Sequence, residues 1–334
     1  MLPTRVQCSN RNLLLCFDAF GTLFQPNVPI PRAYAEAAIR HGVKCDGNDS
    51  AKAVGQEFKR AFKESSRSHP NYGRDTGLGA EKWWRNVINN TFKQWLEPGQ
   101  DAPKPLVDEL LRRYSTKEGY DIFPDVLPFF QMLRTRSSTD DAKSWPWKNT
   151  VVGIITNSDD RVPGILESFG LKVGPRRVGT PDEREADAAL EDDISFVVLS
   201  YDVGVEKPQR EIFDAAYKSF QETLVSRGDE SNAQSWDKMY IGDSLEHDVV
   251  GASLAGWKAL RLERQKQGQE SLKSKGIRIT HEHVKTGGGS YDIKIYTIRD
   301  LEALGAIDPT NEWPGKRLLK RLAQASDSEN EETT

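Results

Sequence analysis

Five short apolar runs, each followed directly by glycine or polar residues, constrain this chain more than any other feature of its sequence. The runs are residues 13–17, 151–155, 196–200, 239–241 and 259–262. Each is continuous and too short for a typical helix, which predicts a buried strand. Apolar residues at helical spacing lie between the runs, in segments 126–133, 162–169 and 213–220. This alternation predicts an α/β fold whose parallel sheet is covered by helices on both faces.

One long interval after the first strand breaks the alternation. Its apolar residues follow only helical spacing, at residues 34–41, 54–62, 84–95 and 107–114. We therefore expect a helical cap at residues 26–120, seated over the carboxyl edge of the sheet. The α/β core is then formed by residues 11–25 and 121–312.

Three other segments are polar and are predicted to lie outside the regular elements. Residues 181–193 and 265–290 are predicted to be loops, the second ending in a run of glycines. Residues 313–334 predict a C-terminal helix followed by an acidic, disordered tail, because the last nine residues hold four acids and no apolar side chain.

Charge and cysteine content narrow the class of partner and the compartment. Lys plus Arg number 46 against 50 Asp plus Glu, so there is no net positive charge to favour nucleic acid or an anionic membrane, and we expect a small-molecule substrate.

The three cysteines form no CxxC pair, which favours a reducing compartment. No apolar run approaches the ~20 residues that cross a bilayer, and a secretory signal is missing. We expect a cytoplasmic or nuclear protein. A mitochondrial presequence in the first dozen residues is the alternative, and the sequence leaves the oligomeric state open.

Polar groups follow four of the predicted strands, where an open α/β sheet binds its ligands. They are Asp18; Thr156 with Asn157 and Ser158; Lys207; and Asp243 with Asp248. Taken singly, each has an ordinary explanation as a turn or helix-capping residue. Capping does not require these groups at successive strand ends in this order, so together they predict one functional site.

In these residues the chain resembles the haloacid dehalogenase superfamily of aspartate-nucleophile hydrolases. Residues 18–23 are similar to its first motif, Thr156 to its second, Lys207 to its third and residues 242–248 to its fourth. The resemblance covers about residues 13–305 and implies a doubly wound sheet with the Asp18 strand at its centre and a helical cap between the first two motifs. Within the cap, the segments 69–73 and 83–84 are similar to the subgroup named for haloacid dehalogenase-like hydrolase domain-containing protein three.

The residue types predict covalent catalysis. A carboxylate held in line with a phosphorus or activated carbon centre can form a covalent intermediate, and we assign Asp18 as this nucleophile. Thr156 and the amides near Asn157 are expected to hold the oxygens of the transferred group. Thr22 and Ser158 are the other candidate substrate-binding residues. We expect the substrate to be a small phosphorylated metabolite.

Charge also predicts a metal. Three converging carboxylates have only Lys207 to offset them, and a bound Mg²⁺ would bring the formal sum to zero. Because Mg²⁺ prefers oxygen ligands, the candidate ligands are Asp18, the backbone carbonyl of Phe20, Asp243 and Asp248.

Phe20 departs from the pattern that the resemblance implies. Phosphatases of the superfamily usually carry a second Asp two residues after the nucleophile, which protonates the leaving oxygen. Phe20 is closer to the tyrosine of haloacid dehalogenases, whereas Asp243 matches the phosphatases. Three readings follow: a Mg²⁺-dependent phosphoryl-transfer hydrolase, a metal-independent dehalogenase-like hydrolase, and a catalytically weak protein that uses the fold for binding.

Overall fold

The molecule is built on one eight-stranded sheet with a second, two-stranded ribbon beside it. The computed structural model describes residues 10–45, 49–136, 145–179, 192–228, 232–264, 276–286, 289–307 and 309. The strands are β1 (Leu13–Phe17), β2 (Phe24–Pro26), β3 (Tyr120–Ile122), β4 (Thr150–Thr156), β5 (Val173–Arg177), β6 (Ile194–Leu199), β7 (Asp237–Gly242), β8 (Lys258–Leu262), β9 (Arg278–Thr286) and β10 (Gly289–Ile298). In the large sheet their order is β5-β6-β4-β1-β7-β8-β10-β9.

Strand β1 lies inside the sheet, paired in parallel with β4 on one side and β7 on the other. Its side chains alternate between two apolar cores, Leu13, Leu15 and Phe17 on one face and Leu14 and Cys16 on the other. A strand buried on both faces reads as a continuous apolar run, which is why the sequence located it correctly.

Helices cover both faces of this sheet. They are α5 (Val126–Arg136) and α6 (Val162–Ser168) against one core, and α8 (Arg210–Ser226) and α9 (Gly251–Leu254) against the other. The expected doubly wound α/β architecture is therefore confirmed. Ser200, expected at the end of a strand, instead begins the short helix α7 (Ser200–Val203).

The far edge of the sheet corrects one sequence-based expectation. Part of the segment 265–290, predicted as a loop, forms β9, which pairs antiparallel with β10. β9 has few apolar residues because it is the edge strand, whereas β10 buries Ile293 and Ile295 against the core. Residues 265–275 and 287–288 lie outside the described residues, as do residues 180–191 and the predicted C-terminal segment 313–334.

Residues 26–45 and 49–120 of the proposed cap form four α-helices, α1 (Ile30–Arg40), α2 (Ser50–Ser68), α3 (Ala80–Phe92) and α4 (Lys104–Arg113). The chain enters and leaves it through the β2–β3 ribbon, in which Pro26 pairs with Tyr120. Within the described ranges, no helix is long and apolar enough to cross a membrane.

Candidate active site

The carboxyl ends of β1, β4 and β7 bring the predicted site residues to one edge of the sheet. Asp18 follows β1 directly, and its backbone amide donates to the Ile241 carbonyl of β7 at 2.9 Å. The Asp18 residue is only 7% exposed. Both neighbouring strands hold the backbone at the end of β1. The direction in which the Asp18 side chain extends from the sheet is therefore fixed.

Lys207 forms ion pairs with two carboxylates, those of Asp18 and Asp248. Its Nζ donates to Asp18 Oδ1 at 2.7 Å, to Asp248 Oδ1 at 2.7 Å and to the hydroxyl of Tyr240 at 2.8 Å. Burial alone would lower the pKa of Lys207, but the charges of Asp18 and Asp248 outweigh it and raise the pKa above its ordinary value. Lys207 is therefore a permanent cation between two acids.

Asp243 completes a group of three acids. One oxygen each from Asp18, Asp243 and Asp248 lies within 4.8 Å of the others. Two glycines make room for this group: a Cβ at Gly21 would lie 2.4 Å from Asp243 Oδ2, and one at Gly242 would lie 2.3 Å from Asp248 Cγ. Gly21 also has φ +76°, a conformation that favours glycine.

The charges of this group fit a divalent cation. Burial raises the pKa of Asp18 to about 6. The negative charges of Asp248 and Asp243 also raise this pKa, whereas the positive charge of Lys207 lowers it. Burial and Asp248 likewise raise the pKa of Asp243. Three acids with one ammonium leave an excess of negative charge, and oxygen ligands of this kind suit Mg²⁺.

The four candidate metal ligands are not equally available. Both oxygens of Asp248 already accept hydrogen bonds, Oδ1 from Lys207 and Oδ2 from the Ser244 amide at 2.9 Å. Asp243 has no side-chain partner for its carboxylate among the described residues and accepts only from its own backbone amide, and no described residue donates to the Phe20 carbonyl. The contacts thus favour Asp18, Asp243 and the Phe20 carbonyl as direct ligands, with Asp248 orienting Lys207.

The β4 segment supplies the next candidates. Thr156, at the end of β4, is 1% exposed, and no described residue hydrogen-bonds to its hydroxyl. Asn157 has both polar side-chain atoms engaged: Oδ1 accepts from the Lys207 amide at 2.7 Å and Nδ2 donates to the Lys207 carbonyl at 3.1 Å. Asn157 therefore fixes the backbone of Lys207. Ser158 is buried beside it.

Thr22 is wholly buried at the end of the turn that begins with Asp18. Its carbonyl accepts two hydrogen bonds from Arg264, at 3.2 and 2.7 Å. Its hydroxyl has no hydrogen-bond partner among the described residues. A buried hydroxyl of this kind usually has a partner, so a water or a ligand oxygen is expected there.

Phe20 lies where the turn meets the base of the cap. Its ring packs edge-on against Phe24 at 4.8 Å and against Tyr120 at 5.7 Å, measured between ring centroids. Phe24 and Tyr120 belong to the two strands of the ribbon. Phe20 thus forms an apolar contact between the Asp18 turn and the entrance of the cap.

A cap loop contacts the core close to these residues. The hydroxyl of Tyr72 donates to the Asn157 carbonyl at 3.3 Å, and Asn71 Nδ2 donates to the Ser200 carbonyl at 3.1 Å. Asn71 and Tyr72 have φ of 48° and 53°, which is uncommon for residues other than glycine. Such strain costs on the order of 1–3 kcal/mol and tends to persist at functional sites.

A second cap contact lies on helix α3. The indole Nε1 of Trp84 donates to Asp159 Oδ2 at 2.5 Å, and the guanidinium of Arg161 lies 4.2 Å from the centre of the Trp84 ring. Arg161 in turn holds both oxygens of Asp159. The cap is therefore closed onto the loop that follows Thr156.

The structure brings Asp18, Lys207, Asp243 and Asp248 together and places Asn157 beside Lys207, with Thr156 preceding it at the end of β4. Sequence reasoning missed Tyr240, whose hydroxyl contacts Lys207. Tyr240 lies two residues before Gly242 inside an apolar strand, so nothing in the pattern separated it from an ordinary core residue.

A parallel α/β sheet, a helical insertion after its first strand and acids with a lysine at its carboxyl edge define the haloacid dehalogenase-like class of fold. The chain belongs to the haloacid dehalogenase-like hydrolase family, whose model matches residues 13–256.

Similar proteins come from several organisms. An uncharacterised hydrolase of Schizosaccharomyces pombe is 30% identical over 246 residues, 74% of this chain and 88% of that protein. Haloacid dehalogenase-like hydrolase domain-containing protein 3 of Bos taurus is 27% identical over 244 residues, 73% of this chain and 78% of that protein. These relatives confirm the family and the subgroup that the motifs resemble.

Among solved structures, 2-haloacid dehalogenase from Pseudomonas syringae aligns with a TM-score of 0.41 and 20% identity, covering 78% of this chain and 90% of that one. A HAD-hydrolase of Bacillus subtilis bound to magnesium aligns with a TM-score of 0.45 and 17% identity, covering 88% of this chain and 97% of that one.

Proposed function

We propose that this hydrolase transfers a phosphoryl group from a small phosphorylated metabolite to Asp18 and then to water. The observation that carries the proposal is the joint placement of Asp18, Asp243 and Asp248, with ligand oxygens within 4.8 Å of one another and a single lysine among them. A metal-independent reaction would leave this excess of acid uncompensated, which disfavours the dehalogenase-like alternative.

In the first step an oxygen of Asp18 attacks phosphorus while the bond from phosphorus to the leaving oxygen breaks. Lys207 holds Oδ1 of Asp18 and keeps the carboxylate ionised and oriented. The Thr156 hydroxyl and the backbone amides near Asn157 bind the oxygens of the transferred group. Water then attacks the aspartyl-phosphate, releasing phosphate and restoring Asp18.

Mg²⁺ fits the direct ligands Asp18, Asp243 and the Phe20 carbonyl, and when bound it supplies positive charge for the transferred phosphoryl oxygens. Asp248 holds Lys207 in place beside them.

The proton needed by the leaving oxygen sets the substrate preference. Phe20 cannot donate one, and general acid catalysis is worth about 10²–10⁴ in rate. We therefore propose that acyl phosphates and aryl phosphates, whose leaving groups need no proton, react far faster than alkyl phosphates.

A substrate screen with and without Mg²⁺ tests the proposal. Acyl, aryl and alkyl phosphates and haloacids are assayed for phosphate or halide release, with Asp18→Asn as the blank. Phosphate release from acyl or aryl phosphates that requires Mg²⁺ supports the proposal. Halide release without Mg²⁺ supports the dehalogenase-like reading, and tight phosphate binding without turnover supports a binding protein.

Calorimetry tests the metal separately. Asp243→Asn should weaken Mg²⁺ binding by at least about tenfold, since even indirect ligand partners are worth that much. Glu246→Gln removes an exposed acid three residues further along the chain and is the matched control. Equal binding by the wild type and Asp243→Asn contradicts the assignment.

A further inference from the structure

Tyr240 is a buried polar residue that the proposed reaction does not use. It lies on β7 and is 0% exposed, with its ring packed edge-on against Phe213 at 5.3 Å. A buried phenol needs hydrogen-bond partners, and the Tyr240 hydroxyl contacts two residues of the candidate site, Lys207 and Asp248.

The Tyr240 hydroxyl has one proton to donate, and the distances to its neighbours indicate which of them accepts it. Its hydroxyl oxygen lies 2.7 Å from the Ile155 carbonyl, which can only accept, and 3.2 Å from Asp248 Oδ1. The shorter contact takes this proton, which leaves the phenol oxygen to accept from Lys207.

This arrangement spans three strands. Tyr240 lies beside Cys16 in the register of β7 with β1, and Cys16 lies beside Gly153 in the register of β1 with β4. Because Ile155 follows Gly153 by two residues, the Tyr240 side chain crosses β1 next to Asp18. The hydrogen bond from Tyr240 to Ile155 thus connects both neighbours of the strand that carries the nucleophile.

The ammonium group of Lys207 has three protons and three protein acceptors: Asp18, Asp248 and Tyr240. The acceptors therefore match the protons in number. Of the three acceptors, only Tyr240 is neutral, so it completes the coordination of Lys207 without adding negative charge.

We propose that Tyr240 is a positioning residue, which directs Lys207 onto Asp18 and Asp248. In this role Tyr240 fixes the ammonium group that orients the nucleophile. The kinetic part of this inference rests on the proposed function, whereas the geometry of Lys207 does not.

Side-chain NMR of lysine ammonium groups tests the geometry without a substrate. In protein labelled with [¹⁵N]lysine, the Lys207 signal is assigned by its loss in Lys207→Met. Three hydrogen bonds to buried acceptors should protect the ammonium protons from exchange with water. In Tyr240→Phe one proton is released, and exchange should become at least about tenfold faster.

Controls separate positioning from stability. Tyr217→Phe removes a phenol from α8, where the ring contacts Phe220 and not Lys207, and it should leave the Lys207 signal unchanged. If Tyr240→Phe does not fold, the wild type decides alone: a wild-type Lys207 ammonium without protection overturns the proposal. An unchanged exchange rate in folded Tyr240→Phe also overturns it.

On any phosphate ester that the wild type hydrolyses, Tyr240→Phe should lower kcat by about tenfold and leave KM unchanged, because Tyr240 does not touch the substrate. A rise in KM with constant kcat contradicts the proposal. If no ester is hydrolysed, the proposed function fails, and the NMR experiment still decides the role of Tyr240.

Discussion

Phe20 lies two residues after Asp18 in the chain and has an aromatic ring where a carboxylate was expected. Its contacts with Phe24 at 4.8 Å and with Tyr120 at 5.7 Å explain why a carboxylate is disfavoured there. An ionised group at this half-buried position would lose part of its hydration against two apolar rings.

Phe20→Asp should therefore have two opposite effects. We expect turnover of an alkyl phosphate to rise by up to ~10²-fold, toward the value of a general acid. We also expect the free energy of unfolding to fall by about 1–3 kcal/mol because the ring contacts are lost. Phosphate release and urea denaturation measure the two effects, with Phe20→Leu as the control that lacks the carboxyl group. If folded Phe20→Asp hydrolyses no ester faster than the wild type does, the proposal that turnover is limited by the missing carboxylate is contradicted.

Gly242 tests how tightly Asp248 is held. In Gly242→Ala the new Cβ would lie 2.3 Å from Asp248 Cγ, so Asp248 must move away from Lys207. We expect a loss of about 1–3 kcal/mol in the free energy of unfolding, with a matching loss of activity. Gly164→Ala is the control, because its nearest neighbour, the Ser115 carbonyl oxygen, lies at 3.6 Å. Equal melting temperatures for the two variants would count against a crowded Gly242.

Among the elements, the helices of the cap share one apolar cluster with the core and also meet it through polar contacts. Trp84 on α3 donates to Asp159 at 2.5 Å and packs against Arg161. Tyr72 donates to the Asn157 carbonyl. These contacts connect the position of the cap with the loop that follows β4.

Trp84→Phe should loosen the closed cap, because it removes the indole N–H and weakens the contact with Arg161. Spin labels at Lys59→Cys on α2 and Glu211→Cys on α8 report the distance between cap and core. We expect a broader distance distribution in Trp84→Phe than in the otherwise unsubstituted labelled protein. Trp95→Phe changes a cap tryptophan that contacts Phe92 and serves as the control. An unchanged distribution in Trp84→Phe contradicts this role.

The sequence predicted some elements well for physical reasons. Strands such as β1 and β4 are buried on both faces, so their apolar runs were complete and their ends carried the polar residues of the site. Strand β9 was missed because an edge strand needs few apolar residues. The hydrogen bond from Tyr240 to Lys207 was missed because it joins residues 33 positions apart and no local pattern records it.

For the whole molecule, the candidate metal site lies at the carboxyl ends of the neighbouring strands β1 and β7. A cation that binds only the folded chain stabilises it by mass action, by about 2.7 kcal/mol at 100 times the dissociation constant.

We therefore expect Mg²⁺ at this concentration to raise the melting temperature by about 5 °C, given about 2 °C for each kcal/mol in a chain of this size. Scanning calorimetry with and without Mg²⁺ measures the shift. Asp243→Asn, with at least about tenfold weaker binding, should show at most about half of this shift, while Glu246→Gln should behave like the wild type. A full Mg²⁺ shift in Asp243→Asn would assign the stabilisation to another site.

The aromatic contact at Phe20 also relates the two parts of the molecule. Phe20 lies on the turn that begins with Asp18, and its ring contacts one residue from each strand of the ribbon through which the chain enters and leaves the cap. A rotation of the cap about that ribbon would change the packing around Phe20 and would thus link the position of the cap thermodynamically to the geometry of the turn. By reciprocity, a ligand that favours one arrangement of the Asp18 turn also favours one orientation of the cap, and a cap substitution that shifts this orientation changes the affinity at Asp18.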